Sequence, residues 1–185
     1  MAEVASVDPA MIARTKTWLA NQQQPDGSWE GDQTEFFSFQ TSTVRNTAFV
    51  AWALASAGTT GGPIDAALAY VKTHLGASED AYTLGIVANA FALGAPSDPY
   101  TATLLAQLDA KKTVNGDQVY WSTAGTQTDF YGSGKDADVT ATALAAHALM
   151  SFGGYAGTVQ GALSFLVASR DTQGNFGSTQ ATIWT

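Results

Sequence analysis

The stretch "AWALASAG", Ala51–Gly58, occurs three times in this 185-residue chain in similar form. It returns as "ANAFALGA" from Ala88 and as "AHALMSFG" from Ala146. Each copy precedes a second apolar stretch: "IDAALAYV" from Ile64, "TATLLAQL" from Thr101 and "VQGALSFL" from Val159. For both stretches, the second copy lies 37 residues and the third 95 residues after the first, without gaps. A fixed period of this kind predicts a repeated pair of helices.

A second match connects the two ends of the chain. Three residues near the start have counterparts 147 residues later: Trp18 and Phe165, Gly27 and Gly174, Trp29 and Phe176. The segment from residue 174 to the last residue therefore looks like the junction before another helical pair. We expect the chain, 1–185, to be a single domain that ends before its last helices.

Apolar spacing, glycines at helix ends and prolines at helix starts predict eight helices. The predicted ranges are 9–23, 42–57, 62–75, 80–94, 97–112, 138–152 and 156–170, with an eighth helix beginning near 179. The ranges 42–57, 80–94 and 138–152 are rich in Ala and nearly uncharged, which is typical of buried, inner helices. The ranges 9–23, 62–75, 97–112 and 156–170 carry charges, which is typical of an outer layer. This alternation predicts an all-α fold, an open or incomplete α/α toroid of about four helical hairpins.

Two long connections, 24–41 and 113–137, separate the helices, and within the second the stretch "QVYWSTAGTQTDFYGSG", Gln118–Gly134, predicts a hairpin or an ordered surface loop. Their aromatic residues are candidates for contact with a protein partner, or alternatively they pin the connections to the helices. These residues are Trp29, Phe36, Phe37, Tyr120, Trp121, Phe130 and Tyr131.

Composition excludes several classes of function. Sixteen acidic residues against eight basic ones give a net charge of −8, which disfavours binding to nucleic acid. The chain has no Cys, so disulfides, thiolate zinc sites and cysteine nucleophiles are excluded, and we predict no metal or cofactor. No apolar run is long enough for a membrane span, and the first residues lack the pattern of a signal peptide.

Several stretches resemble a known family. "WLANQQQPDGSW", Trp18–Trp29, resembles a signature of α/α-toroid proteins, a group that includes terpene cyclases. "FLVASRDTQGNFGSTQATIWT", Phe165–Thr185, resembles the late part of the thioester domain of alpha-2-macroglobulin and complement proteins. The stretches 80–96, 119–122 and 136–149 resemble that domain in the same order. The resemblance covers nearly the whole chain.

The resemblance implies a function and also a departure from it. The family's domain traps targets through a thioester built from a Cys-Gly-Glu-Gln motif, and in complement-type members a His assists the acyl transfer. This chain has no Cys, and residues 30–46, where that His would lie, contain none. The resemblance therefore implies a non-catalytic recognition or scaffold domain of a bacterial alpha-2-macroglobulin-like protein.

The larger context implied by the same resemblance is protease inhibition or envelope defence, in the extracellular space, the periplasm or the cell envelope. Its partner would be a protease or neighbouring domains of the parent protein. In the family, about two more helical pairs complete the ring. The edge of an incomplete toroid would also offer a surface for self-association.

An enzyme or a carrier is the alternative. In "DADVTA", Asp136–Ala141, Asp138 stands where a terpene cyclase has its catalytic acid, but Val139 replaces the partner carboxylate. Asp136 or Asp138 could instead cap the following helix. The zinc site of protein prenyltransferases, which share the toroid fold, resembles a set of Asp, Cys and His ligands. This chain has no Cys to complete such a set. A carrier for a small apolar molecule uses the same scaffold and needs no acid.

The repeat also assigns one position to three different residues. Trp52, Asn89 and His147 are equivalent on successive inner helices. They could form a polar and aromatic lining that binds a ligand, or they could fill space and bond to the neighbouring backbone. Together with Tyr120, Trp121 and Asp138 they are our candidate binding residues; we assign no catalytic residue.

Overall fold

A computed structural model describes residues 7–31, 42–77, 79–129 and 132–185. Its contacts divide the chain into two compact units, Met1–Leu75 and Gly76–Thr185, called the first and the second unit below. Eight α-helices and one two-stranded sheet lie in the described ranges. The prediction of an all-α fold is confirmed. The predictions of one domain and of an incomplete ring concern the chain as a whole and stay predictions.

The first unit contains helices α1 (Pro9–Asn21), α2 (Thr43–Ser56) and α3 (Gly62–His74). The carboxylate of Asp8 accepts the N–H of Ala10 at the start of α1, and the hydroxyl of Ser42 caps α2. Helix α2 packs on α3. The apolar side chains that both helices bury hold the pair together: Ala51, Leu54, Ile64, Ala67, Leu68 and Val71.

The second unit continues the pattern of inner and outer helices. Its elements are α4 (Ala81–Gly94), α5 (Pro99–Ala110), β1 (Thr113–Asn115), β2 (Gln118–Tyr120), α6 (Gly134–Phe152), α7 (Ala156–Ala168) and α8 (Thr179–Trp184). Helix α4 packs on α5 and α6, while α6 also packs on α7 and α8. Every residue from Ala81 to Ala92 is buried, as the Ala-rich composition of α4 predicts.

Small residues allow α4 and α6 to approach closely. A Cβ atom added to Gly85 on α4 would lie 3.0 Å from the Cβ of Leu144 on α6. Both helices are lined with alanines at this contact, so few rotamers are lost on packing. The close contact fixes the relative register of the two inner helices, which carry three of the candidate binding residues, Asn89, Asp138 and His147.

A β-hairpin opens the second long connection, and only its second strand lies within 118–134, the stretch for which a hairpin or an ordered loop is predicted. Strands β1 and β2 pair antiparallel, with Val114 opposite Val119. The first and last residues of the helices lie within two residues of the predicted bounds, except at the start of α6. That helix begins at Gly134, four residues before the predicted start at 138.

The early start of α6 corrects the capping assignment. The N-cap residue is Ser133, whose side chain makes no capping bond. Asp136 and Asp138 lie inside the helix, so neither is its N-cap. The helix extends backwards because Ala137 is fully buried, and this packing outweighs the weak helix propensity of the Gly- and Asp-rich sequence.

Helix α1 is exposed, as its charged residues Arg14 and Lys16 predict. Its apolar residues Ile12, Trp18 and Leu19 recur at helical spacing, and none of them is buried. The indole of Trp18 is 61% exposed. Ile12 and Leu19 are seven residues apart and share one side of the helix, which faces α2 across a cleft. Trp18 points away from that side.

Candidate functional site

Two polar turns repeat along the chain with the same backbone hydrogen bonds. In residues 24–28, the first N–H donates to the last carbonyl at 2.9 Å, and Gly27 N–H donates to the first carbonyl at 2.9 Å. In residues 171–175, which lie 147 positions later, the same bonds measure 2.8 Å and 3.1 Å, with Gly174 as the second donor. The repeat found in the sequence is therefore a repeat of local structure.

A carboxylate stabilises each turn from a different position. Oδ1 of Asp26 accepts the N–H and the hydroxyl of Ser28 at 3.0 Å and 2.8 Å. Oδ1 of Asp171 accepts the N–H groups of Gln173 and Asn175, both at 2.8 Å. The Ser28 N–H lowers the pKa of Asp26, and the Asn175 N–H lowers the pKa of Asp171.

The aromatic residue after the first turn anchors it to two helices. The backbone N–H of Trp29 donates to the hydroxyl of Thr47 on α2 at 3.0 Å. Its indole N–H donates to the carbonyl of Leu19 near the end of α1 at 2.8 Å. Trp29 is 3% exposed. These bonds satisfy donors that would otherwise be buried without partners.

Trp121 repeats both bonds in the second unit. Its backbone N–H donates to the hydroxyl of Thr142 on α6 at 3.0 Å, and its indole N–H donates to the Leu108 carbonyl at 2.7 Å. Thr47 and Thr142 are 95 residues apart, the same distance as the repeated helices. Trp29 and Trp121 thus pin their connections to the helical body, which is the second of the two roles considered for these aromatics. A partner could reach neither indole without displacing the connection.

The remaining loop aromatics divide into two groups. Tyr120 is half-buried and stacks on Phe165 of α7, with ring centroids 5.0 Å apart and an interplanar angle of 18°. The predictions for Phe36, Phe37, Phe130 and Tyr131 lie outside the described residues.

Asp138 connects α6 to the segment after Trp121. Its Oδ1 accepts the backbone N–H of Thr123 at 2.7 Å and the Thr123 hydroxyl at 3.2 Å. Thr123 itself is 1% exposed. The carboxylate therefore holds a buried segment in place, and this arrangement counts against a role as a catalytic acid for an apolar substrate.

Asn89 and His147 form a hydrogen-bonded pair. Asn89 is 2% exposed, and its Nδ2 donates to the carbonyls of Gly85 and Leu144 at 2.8 Å and 2.9 Å. Because both amide N–H groups face carbonyls, Oδ1 must be the atom that faces His147 Nδ1 at 2.5 Å. Nδ1 of His147 therefore carries the hydrogen.

The third equivalent residue lies in the first unit. Trp52 is 8% exposed and meets the ring of Phe49 edge-on, with centroids 6.2 Å apart and planes at 90°. The structure thus brings together Asn89 and His147. A lining shared with Trp52 stays a prediction.

The two helices that meet at His147 carry no charged residue near it. Contacts from Gly85 to Leu144 and from Asn89 to His147 show that α4 and α6 run parallel. Leu93 follows Asn89 by one turn and is 46% exposed, and Met150 follows His147 by about one turn and is 60% exposed. His147 is exposed as well. We call Leu93, His147 and Met150 the end patch.

The end patch was not predicted from the sequence, because Leu and Met residues in an apolar helix normally belong to the hydrophobic core. The available signal was the absence of charge: α4 contains no Asp, Glu, Lys or Arg, and α6 contains none after Asp138. In the described ranges, no helix is long and apolar enough to cross a membrane. The same ranges contain no cluster of three or more His, Asp or Glu suited to a metal ion.

Alternating inner and outer helices, with recurring turns and anchoring aromatics, define an all-α repeat protein built from helical pairs. The family model of the alpha-macroglobulin TED domain, the thioester-containing domain, matches residues 1–185. The chain belongs to this family, as the resemblance of its motifs predicts. No curated protein matches the sequence.

Proposed function

We propose that this chain is a non-catalytic domain of an alpha-2-macroglobulin-like protein that recognises a protein partner without covalent capture. The observation that carries this proposal is that the TED family match spans all 185 residues while the chain contains no Cys. A thioester requires a cysteine sulfur, so no residue of this chain can supply one. Without a thioester, a domain with this fold can still bind a protein partner reversibly.

The end patch is the contact surface that the side chains favour. Protein interfaces are depleted in charge at their centre and enriched in Met and aromatic residues. Leu93 and Met150 expose apolar side chains on a part of the chain without charged residues, although the whole chain carries −8. Exposed apolar patches on soluble domains commonly mark binding sites.

The Asn89–His147 bond prepares this surface for binding. Asn89 is fixed by two carbonyl acceptors, and it in turn holds the imidazole of His147 through Nδ1. A side chain ordered before binding loses less entropy when the partner arrives. His147 therefore contributes a polar contact of defined direction between two apolar ones.

The partner that fits this account is a protease or a neighbouring domain of the parent protein. The setting is outside the cytoplasm, in protease inhibition or envelope defence, and the parent protein is bacterial. The match to the alpha-macroglobulin TED domain supports the macroglobulin part of this context.

Binding to immobilised chain tests the proposal. The probes are active-site-blocked trypsin, subtilisin, elastase and thermolysin, together with the domains that flank this one in its parent gene. Met150→Asp places a charge in the end patch and should weaken binding at least tenfold. Leu93→Asp should do the same, in case one variant perturbs the helix pair.

Val114→Asp is the matched control, because Val114 is 62% exposed on β1 and lies outside the end patch. It should leave affinity unchanged. The proposal is wrong if no probe binds, or if Val114→Asp weakens binding as much as the two end-patch variants do.

A further inference from the structure

A cleft with a volume of about 470 Å³ lies between α1 and α2 in the first unit. Small-molecule sites typically have volumes of about 300 to 1,000 Å³ and largely apolar walls. The walls of this cleft are apolar side chains from both helices: Met11, Ile12, Leu19, Ala53, Leu54 and Ala57. All residues that line it belong to the first unit, whereas the residues of the end patch belong to the second.

One cation stands at this cleft. Among the residues that line it, Lys16 alone is charged. Its Nζ donates to the carbonyl of Ala57, at the end of α2, at 2.9 Å. Helix carbonyls at that end attract positive charge, which holds the ammonium in place. An ammonium has three N–H donors, so a bond to Ala57 leaves it able to bind an anion.

The charge of helix α1, which forms one wall of the cleft, is unusual for this protein. Helix α1 contains Arg14 and Lys16 and no Asp or Glu, whereas the chain as a whole carries −8. A ligand with an apolar chain and an anionic head complements both the walls and the cation. A carboxylate would form a charge-assisted hydrogen bond with the ammonium.

We propose that the α1–α2 cleft binds one single-chain anionic amphiphile, a fatty-acid-like monocarboxylate. Its alkyl chain lies against Ile12, Leu19 and Leu54, and its carboxylate pairs with Lys16. No bond is made or broken. This site is independent of protein recognition through the end patch.

The size of the cleft favours an alkyl chain over a peptide helix. A single helical turn with a diameter of about 10 Å and a rise of about 5.4 Å fills roughly 420 Å³. The cleft therefore holds about one turn, whereas helices that dock in grooves use several turns of anchoring residues. An extended alkyl chain fits the volume without that requirement.

Isothermal titration calorimetry of the 185-residue chain with laurate tests this site, with dodecanol as the uncharged analogue. Laurate should bind with a stoichiometry of one and at least tenfold more tightly than dodecanol. Lys16→Met should weaken laurate binding about tenfold and leave dodecanol binding unchanged. Arg14→Met, which removes the other cation of α1, is the matched control and should change neither affinity.

Ala53→Trp should abolish binding of both ligands, because the indole fills the cleft from an exposed position. Far-UV circular dichroism of each variant must match that of the parent chain. The proposal is wrong if laurate does not bind stoichiometrically, or if Arg14→Met and Lys16→Met weaken it equally. It is also wrong if Ala53→Trp leaves laurate binding intact. If laurate does not bind and Ala53→Trp instead disrupts a protein complex, the cleft is a protein contact and not a site for an amphiphile.

Discussion

The backbone N–H of Trp121 donates to the hydroxyl of Thr142 at 3.0 Å, and both residues are fully buried. Thr142→Val removes the acceptor with little change in shape and leaves that N–H without a partner. A buried donor that loses its partner costs about 1–3 kcal/mol. Urea unfolding should show a loss of stability in this range.

Thr103→Val is the control for this substitution. Thr103 is exposed on α5, and its hydroxyl only donates to the Pro99 carbonyl one turn back. The change should stay within about 0.5 kcal/mol. Equal effects at Thr142 and Thr103 would show that the Trp121 bond does not stabilise the second unit.

Two glycines of α7 should respond to alanine with opposite signs. A Cβ on Gly161 would lie 2.5 Å from Cγ2 and 3.3 Å from the backbone N of Val119, whereas a Cβ on Gly157 meets nothing within 4 Å. Gly157→Ala should stabilise by about 0.5–1 kcal/mol through helix propensity. Gly161→Ala should destabilise by about 1–3 kcal/mol through overpacking. Thermal unfolding distinguishes them, and stabilisation by both would rule out the tight contact between α7 and β2.

The Asn89–His147 bond predicts the tautomer of a histidine. With Oδ1 of Asn89 as acceptor, neutral His147 carries its hydrogen on Nδ1. Nitrogen-15 NMR of the imidazole should report this tautomer in the parent chain. In Asn89→Leu the preference for Nδ1–H should disappear. If the imidazole carried its hydrogen on Nε2 in both the parent chain and Asn89→Leu, the Asn89–His147 bond would be contradicted.

The two carboxylate turns predict a dependence of stability on pH. The folded-state pKa values of Asp26 and Asp171 lie below the ordinary value of an aspartate, because backbone N–H groups favour the ionised form. Their contribution to stability is therefore present above the unfolded-state pKa and is lost as pH falls through the folded-state pKa.

Melting curves of the parent chain, Asp26→Asn and Asp171→Asn at several pH values test this dependence. Near neutral pH the parent should melt at a higher temperature than either variant. The difference should shrink below about pH 4 and vanish once the folded carboxyl is protonated. A gap of constant size from neutral to strongly acid solution would disprove the carboxylate's role.

Most of the fold could be predicted because several independent signals in the sequence indicated the same helices. Apolar periodicity, terminal glycines and the repeat all indicated the same helices, and Thr47 and Thr142 recur at the repeat distance of 95 residues. The start of α6 was missed because burial of Ala137 overrides the local propensity of residues 134–137. Tertiary burial of this kind is not visible in a local pattern.

The candidate site was predicted only in part. Equivalence in the repeat selected Asn89 and His147, but it could not show that one fixes the other through a hydrogen bond. Asp138 looked like a cap or an acid, since its partner Thr123 is 15 residues away in sequence. Leu93 and Met150 resembled core residues, because exposure at a helix end depends on what packs there.

Recognition without covalent capture is tested most directly by mass spectrometry of one complex under two conditions. The chain is incubated with a protein probe that it binds, and the mixture is measured first under native and then under denaturing conditions. We predict a complex in the native spectrum, and after denaturation the unmodified 19.2 kDa chain and the free probe as separate species. A denaturation-resistant species with the summed mass of chain and probe would contradict the account.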